Sequence, residues 1–290
     1  MRATELRGAP VAAAICEGLA PRVEALKARG IEPRLAIVRV GKRSGDVAYE
    51  RGAASRMAKV GIACDTVALP EDAGQRELEA VLTSLAADPE THGILLLRPL
   101  DTPFDEEAAV ACVPAAKDVD GMTQESVAGL YSGSGTGFVP CTAEAVVRLL
   151  EHYEVPLAGA RACVLGRSAV VGRPLAQLLL DRNATVCVCH SRTRDLAAET
   201  RRAEVLVSCM GRAHAVGADM VAPGAVVCDV GTNDDGAGGI TGDVDYEGVS
   251  EVASAVTPVP RGVGSVTTSV LAAHVVEAAE RDARLSKRVP

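Results

Sequence analysis

The chain has 290 residues, 48% of them apolar and 23% charged, with a formal net charge of −8; this length exceeds the commonest domain size and predicts two domains with sizeable cores. Aromatic residues make up only 2%, with no Trp, so the cores are Ala, Val and Leu packing, and base-stacking platforms for single-stranded nucleic acid are excluded. Charges of both signs are interspersed, the opening MRATELRGAP lacks a signal peptide's apolar core, and no apolar run reaches membrane-spanning length, which predicts a cytoplasmic protein with neither nucleic acid nor membrane as a partner.

Val11, Ile15, Leu19, Val23 and Leu26 recur at near-helical spacing and predict a helix over Pro10 to Arg29, stopped by Gly30. Leu35 to Val40 reads as a strand, Asp46 to Lys59 as a helix ending at Gly61, and Ile62 to Leu69 as the next strand. Gln75 to Ala87 is a third helix and Gly93 to Leu97 a third strand. Strands alternating with helices of this length predict parallel βαβ packing. Arg98 to Ser134 is dense in Pro, Asp and Gly, too polar for a core and too rich in turn formers for a long helix. Loops of this kind carry function when a scaffold positions them. This one includes KDVDG at Lys117 to Gly121, which on composition alone reads as an acidic surface turn.

Pro140-Cys141-Thr142 precedes an apolar-periodic helix through Val146, Leu149 and Leu150, with Thr142 as the expected N-cap; the domain junction falls here. The rest of the chain is organised around Arg161 to Leu180, RACVLGRSAVVGRPLAQLLL. Its apolar run breaks at Gly166-Arg167-Ser168, and Gly172-Arg173-Pro174 opens a helical pattern with Leu175, Leu178 and Leu179 on one face. That is strand, tight loop, helix: two glycines admit a phosphate close to the backbone, Pro174 suits a first helical turn, and the helix N-terminus offers free N–H groups to an anion. The spacing, G-x-S-x-x-x-G, departs from the usual G-x-G-x-x-G fingerprint, and an ordinary strand-to-helix turn is the plain alternative. Ala184 to Cys189 predicts a second strand, Arg194 to Arg202 a helix, and Val205 to Cys209 and Ala225 to Val230 two more strands. Cys163 to Val230 is thus a Rossmann-like half, with glycines at the strand C-termini where an open parallel sheet binds its ligand. TPVPRGVGSVTTSVL at Thr257 to Leu271 leads into a helix through Ala279.

The residue after the second Rossmann strand selects the cofactor: an acid bonds the ribose hydroxyls of NAD, a basic residue accommodates the phosphate of NADP. Here the strand ends in His190-Ser191-Arg192-Thr193-Arg194, with no acid until Asp195, and Arg167 adds a further cation. Three arginines and two hydroxyls suit a phosphate and predict NADP; the alternative is that Arg192 and Arg194 are solvated helix-start residues. The nine cysteines sit mostly in apolar strand-like runs and read as free thiols. Cys187 and Cys189 fall on one face of their strand, but no second ligand pair accompanies them, so no metal site is expected.

Taken together, VGKRSGDVAYERGAASRMAKVGI, GILLLRPL followed by KDVDG, FVPCT, GRSAVVGRPLAQLLL, ATVCVCHSRT, CDVGTN, GDVDYEGV and TPVPRGVGSVT resemble the methylenetetrahydrofolate dehydrogenase/cyclohydrolase family, the FolD type, over nearly the whole chain. The resemblance implies a two-domain α/β protein: residues 1–141 with 266–290 form a folate-binding domain whose last helix returns to it, and residues 142–265 form a Rossmann-like NADP-binding domain. It further implies a homodimer, with a small-molecule folate bound in the cleft between domains. By position, Tyr49 matches the family's substrate-stacking tyrosine and Asp120 the carboxylate that holds the pterin, and both are candidate catalytic and substrate-binding residues. Gly166, Arg167, Ser168, Ser191 and Arg192 match cofactor-binding positions, with Gly231 and Thr232 at the nicotinamide end. Pro260 and Gly264 match the loop that closes over substrate.

The departures from the family pattern point to altered chemistry. The family's catalytic lysine, one helical turn after the tyrosine, is Ala53 here, and its partner glutamine is Leu97. Polar family positions at Thr123 and Ser126 are changed, and Arg261 and Ser265 replace small or proline residues. Hydride transfer needs mainly positioning, whereas hydrolysis of the methenyl carbon needs a tuned acid/base group, which Ala and Leu cannot supply. The expected activity is therefore an NADP-dependent methylenetetrahydrofolate dehydrogenase with weak or absent cyclohydrolase, with Arg56 as the nearest substitute cation. A fully bifunctional enzyme, a non-catalytic folate- and dinucleotide-binding homologue, and a dehydrogenase of another small substrate read by Arg98 and Arg261 are the alternatives.

Overall fold

The computed structural model describes residues 2–285. Contacts divide the chain into two units: Ala14–Cys141 with the segment from Thr268 onward, and Thr142–Thr267 with the N-terminal segment up to Ala13.

In the first unit a three-stranded parallel sheet, order β3-β2-β4, is built from β2 (Arg34–Val40), β3 (Ala63–Leu69) and β4 (Gly93–Leu96), with Ile37 opposite both Thr66 and Leu95. Its flanking helices are α1 (Gly8–Lys27), α2 (Ser44–Val60), α3 (Gln75–Ala87) and α10 (Gly264–Leu285). β4 and the Leu35–Val38 stretch of β2 are continuous buried apolar runs because a parallel sheet is covered on both faces. On one face Leu78 and Leu82, a helical turn apart on α3, are fully buried against Val38, Ile94 and Leu96, each contributing roughly 2 kcal/mol of apolar burial. The polar stretch after β4 holds only two short helices, α4 (Glu106–Val110) and α5 (Gln124–Ser132).

In the second unit six parallel strands run in the order β1-β11-β8-β7-β5-β6: β1 (Thr4–Glu5), β5 (Arg161–Leu165), β6 (Thr185–Cys189), β7 (Val205–Ser208), β8 (Val226–Asp229) and β11 (Ala255–Val256). Helices α6 (Cys141–His152), α7 (Gly172–Asp181), α8 (Leu196–Thr200) and α9 (Tyr246–Ser250) and a hairpin of β9 (Asn233–Asp234) with β10 (Ile240–Thr241) complete it. The chain passes from β5 out to β6 and back across to β7, which puts a topological switch point at the C-terminal end of β5.

Three expectations are corrected. The first residues, assigned from sequence to the folate-binding domain, join the Rossmann-like unit because β1 pairs with β11 at its sheet edge. Thr142 is not an N-cap: α6 already begins at Cys141, so Thr142 has helical geometry, which a cap residue lacks. The helix expected over Arg194 to Arg202 is a five-residue piece capped by Asp195, whose carboxylate accepts from Ala198 N at 3.2 Å. No helix among the described residues is long and apolar enough to cross a membrane.

Candidate functional site

On α2, Tyr49, Ala53 and Arg56 lie at i, i+4 and i+7 and share one helix face. Tyr49 is half-buried, Ala53 fully buried. Asp120 ends the KDVDG turn, and its two acids do different work. Asp118 is buried and holds the turn: its carboxylate accepts from Met122 N (2.9 Å), Thr123 N (2.7 Å), Thr123 Oγ1 (2.7 Å) and Ser126 Oγ (2.6 Å). Thr123 and Ser126 are thus consumed in bracing this turn. Asp120 accepts none of these four bonds.

Burial raises the Asp120 carboxyl above the usual carboxylate range; the Arg98 charge and a hydrogen bond from the Cys141 thiol oppose that, Asp118 adds to it, and His274 opposes it more weakly. Burial, then Asp120, then Cys141 push the Tyr49 phenol well above its ordinary value, so it stays protonated and acts as a ring and a donor. Tyr49 and Asp120 therefore share one electrostatic neighbourhood although 71 positions apart in the chain. Cys141 and His274 belong to it too, and sequence reasoning missed both. His274 Nδ1 lies 2.8 Å from Val119 O, so that nitrogen carries the proton, and 3.6 Å from Cys141 Sγ. The FVPCT motif contained the cysteine; nothing local marked the histidine on α10.

Ala53 and Leu97 are 0% and 7% exposed and place only apolar side-chain atoms at their two positions. The Arg56 guanidinium contacts Thr268 Oγ1 at 3.4 Å and Cys16 Sγ at 3.6 Å, so it is turned toward α10 and α1 and makes no ion pair among the described residues.

The glycines of the second unit have a steric cause. Gly166 follows β5 with φ +130°, and a Cβ there would sit 2.5 Å from Cys209 O. A Cβ on Gly172 would sit 2.6 Å from the Gly166 carbonyl carbon, so α7 starts against the loop itself. Ser168 Oγ accepts from Val171 N at 3.1 Å and closes that loop. Together with Cys189 at the end of β6, His190 and Ser191 after it, and Cys209, Met210 and Arg212 after β7, Gly166, Arg167 and Ser168 line a cavity of about 230 Å³ at the switch point. Arg167 and Ser191 are exposed there, Arg192 is exposed next to Ser191 without lining the cavity, and neither arginine is ion-paired among the described residues. A cradle that a single Cβ would fill, a helix start and two unpaired cations fit a dinucleotide phosphate. Cys187 and Cys189 do share a face, with Sγ atoms 3.7 Å apart and Cys163 Sγ 3.8 Å from that of Cys189.

Gly231 and Thr232 follow β8, Gly231 buried and Thr232 exposed. A Cβ on Gly231 would lie 2.6 Å from Asp243 N, and this closeness reflects two interlocked carboxylates that sequence reasoning did not single out. Asp229 accepts from Gly231 N (2.8 Å), Asp243 N (3.0 Å) and Val244 N (2.9 Å). Asp243 accepts from Ser208 Oγ (2.9 Å), Met210 N (2.6 Å), Arg212 N (2.8 Å) and Asn233 Nδ2 (3.0 Å). They pin the loops after β7 and β8 to each other; burial raises Asp229 to about 6. The CDVGTN and GDVDYEGV motifs were the available signal. Pro260 lies on the loop between β11 and α10 and Gly264 is the first residue of α10, both exposed. Between them Arg261 adopts φ +84° while its carbonyl accepts from Gly8 N at 2.9 Å.

Two family models match the chain: the catalytic domain of tetrahydrofolate dehydrogenase/cyclohydrolase over residues 6–120, and the NAD(P)-binding domain of the same family over residues 140–283. The chain belongs to this family. It is 50% identical over 273 residues to the bifunctional protein FolD of Alkaliphilus oremlandii, covering 94% of this chain and 96% of that one. The crystal structure of the bifunctional FolD methylenetetrahydrofolate dehydrogenase/cyclohydrolase of Campylobacter jejuni superimposes with a TM-score of 0.93 at 38% identity, over 96% of this chain and 99% of that one. The Trypanosoma brucei FolD enzyme, solved with NADP and an inhibitor, gives 0.93 at 33% identity, over 98% and 99%. The matched catalytic domain holds Tyr49, Asp120 and the buried Ala53 and Leu97, and the matched NAD(P)-binding domain holds the glycine loop after β5.

Proposed function

We propose that this protein oxidises 5,10-methylenetetrahydrofolate to 5,10-methenyltetrahydrofolate with NADP, and that its cyclohydrolase activity is weak or lost. Tyr49 offers a stacking face, and the Asp120 carboxylate accepts two parallel bonds from the pterin's ring N–H and amino group. When bound, the nicotinamide accepts the hydride. The glycine loop, Ser168 and the start of α7 hold the phosphates, and Arg167, Ser191 and Arg192 meet the extra phosphate of NADP. Asp195, the first acid after β6, is occupied in capping α8, which supports NADP over NAD. Pro260 and Gly264 are assigned to the substrate loop.

The observation that carries the altered balance of activities is the buried Ala53 beside Tyr49. Hydride transfer needs reacting carbons held at attack distance; water attack on the methenyl carbon needs a proton-transfer group. Arg56 does not replace the lysine, because its guanidinium is engaged by Cys16 and Thr268 and an arginine does not give up its proton. Free thiols at all the cysteines support a cytoplasmic setting, and a homodimer is proposed on family grounds. The test is a time course of methenyl and formyl products with purified protein: methenyltetrahydrofolate should accumulate. Its conversion to the formyl product well above the buffer rate would overturn the loss of cyclohydrolase.

A further inference from the structure

We propose that Arg212 is a specificity-determining residue for the cofactor, its guanidinium meeting the ribose phosphate of NADP from the loop after β7. This rests on the reading of the cavity at the end of β5 as the place of that phosphate. Among the described residues the cavity is lined by two permanent cations, Arg167 and Arg212, and by no carboxylate, although the chain as a whole carries a net charge of −8. The two arginines leave neighbouring strands. Leu165 of β5 stands opposite Ser208 of β7, Cys209 N donates to Leu165 O at 2.8 Å, and a Cβ on Gly166 would lie 2.5 Å from Cys209 O. The loops that carry Arg167 and Arg212 therefore touch where they begin. Neither guanidinium has a hydrogen bond or an ion pair among the described residues. Like charges gathered this way repel each other, and a phosphate lodged between them relieves the repulsion and accepts from both.

Arg212 stands on a fixed wall. The buried Asp243 carboxylate gathers the backbone beneath it: one oxygen accepts from Met210 N (2.6 Å), Gly211 N (3.2 Å) and Ser208 Oγ (2.9 Å), the other from Arg212 N (2.8 Å) and Asn233 Nδ2 (3.0 Å). All five donors are uncharged, so Asp243 orients the loop without pairing with the guanidinium. Beyond Arg212 the chain is fastened again, with Ala215 N donating to Arg212 O at 3.3 Å, His214 N to Gly242 O at 3.2 Å and Val216 N to Asp243 O at 3.0 Å. A cation presented from such a wall loses little backbone freedom when a ligand binds. Sheet order then divides the site: β5 lies between β6 and β7, so Ser191 approaches a ligand at the end of β5 from one side and Arg212 from the other. Arg212 thus adds a direction of contact that Arg167, Ser191 and Arg192 do not supply. Gly172, at the start of α7 where the other phosphates are assigned, does not line this cavity, which points Arg212 to the ribose phosphate.

The experiment is calorimetry with NADP, NAD and adenosine 2′-monophosphate on wild type, Arg212→Ala and Arg212→Lys. The Arg212 side chain is exposed and bonds to nothing else in the fold, so truncation should leave thermal unfolding unchanged. Loss of charge-assisted bonds to a phosphate should weaken NADP and adenosine 2′-monophosphate at least about tenfold in Arg212→Ala, whereas NAD, which lacks that phosphate, should change by less than about threefold. Arg212→Lys keeps the charge without the planar fork and should fall between wild type and Arg212→Ala. Equal losses of NADP and NAD in Arg212→Ala would put the guanidinium elsewhere on the dinucleotide and overturn the proposal. Unchanged NADP affinity in that variant overturns it too. Failure of the underlying reading looks different: wild type would then bind NAD as tightly as NADP and would not bind adenosine 2′-monophosphate, and the role of Arg212 would fall with it.

Discussion

Gly172 offers a test in which two physical effects of opposite sign compete. It lies in the first turn of α7 with no positive φ, so helix propensity alone makes Gly172→Ala favourable by about 1 kcal/mol. Against that, the new Cβ would lie 2.6 Å from the Gly166 carbonyl carbon and 3.0 Å from Arg167 N. Those neighbours are backbone and cannot rotate away, so relief requires α7 or the loop to shift, which places the overpacking cost near the upper end of the usual range, about 3 kcal/mol. The net expectation is a loss of about 2 kcal/mol. Gly18 on α1 is the control: it is exposed and a Cβ there meets nothing within 4 Å, so Gly18→Ala should stabilise by roughly 0.5–1 kcal/mol. Urea unfolding of the two variants should therefore move in opposite directions. Because the displaced loop is the one that would meet the dinucleotide phosphates, NADP affinity measured by calorimetry should drop at least about tenfold in Gly172→Ala, equivalent to about 1.4 kcal/mol, and not in Gly18→Ala. A Gly172→Ala protein as stable as wild type with unchanged NADP affinity would refute the claim that this close approach shapes the cofactor loop.

Other outcomes follow from the same geometry. NADP should bind more tightly than NAD by well over about tenfold, since two charge-assisted bonds are worth about 2–4 kcal/mol; calorimetry on Arg192→Ala should show the preference collapse. Asp120→Asn should abolish folate-analogue binding while sparing NADP, because an amide presents one donor where two acceptors are needed; unchanged folate affinity would reduce KDVDG to a turn. Ala53→Lys with Leu97→Gln should recover some hydrolysis of methenyltetrahydrofolate, a step that loses roughly 10²–10⁴-fold without acid–base catalysis, whereas either change alone should do little. Burial pushes the Asp229 carboxyl up to about 6, above the ordinary aspartate value. Its neutral form is therefore favoured in the folded state, and the stability it lends is complete below the unfolded value and lost as pH rises through about 6. The whole change is about 3 kcal/mol. Unfolding free energies of wild type and Asp229→Asn should diverge in slope across that window, and parallel slopes would contradict the assignment.

Local order was readable from the chain alone. α3 spans the residues its apolar spacing predicted, and β2 and β4 stand where short apolar runs placed them, because periods of 3.6 and 2 are properties of consecutive residues. The cofactor loop was legible for the same reason: Gly166, Ser168 and Gly172 act on one another across a few positions. Tertiary structure decided the rest. Strands β1 and β11 have two residues each, too few to show any period, and exist only through pairing across the chain, β1 on β11 and β11 on β8. Sequence could not divide the labour between Asp118 and Asp120, since the four donors that occupy Asp118 come together only on folding. His274 approaches Cys141 across 133 positions and Asp229 interlocks with Asp243 through loops after different strands. Burial and the company of other charges set what these groups do, and both are properties of the folded chain, to which residue order contributes only through the packing it permits.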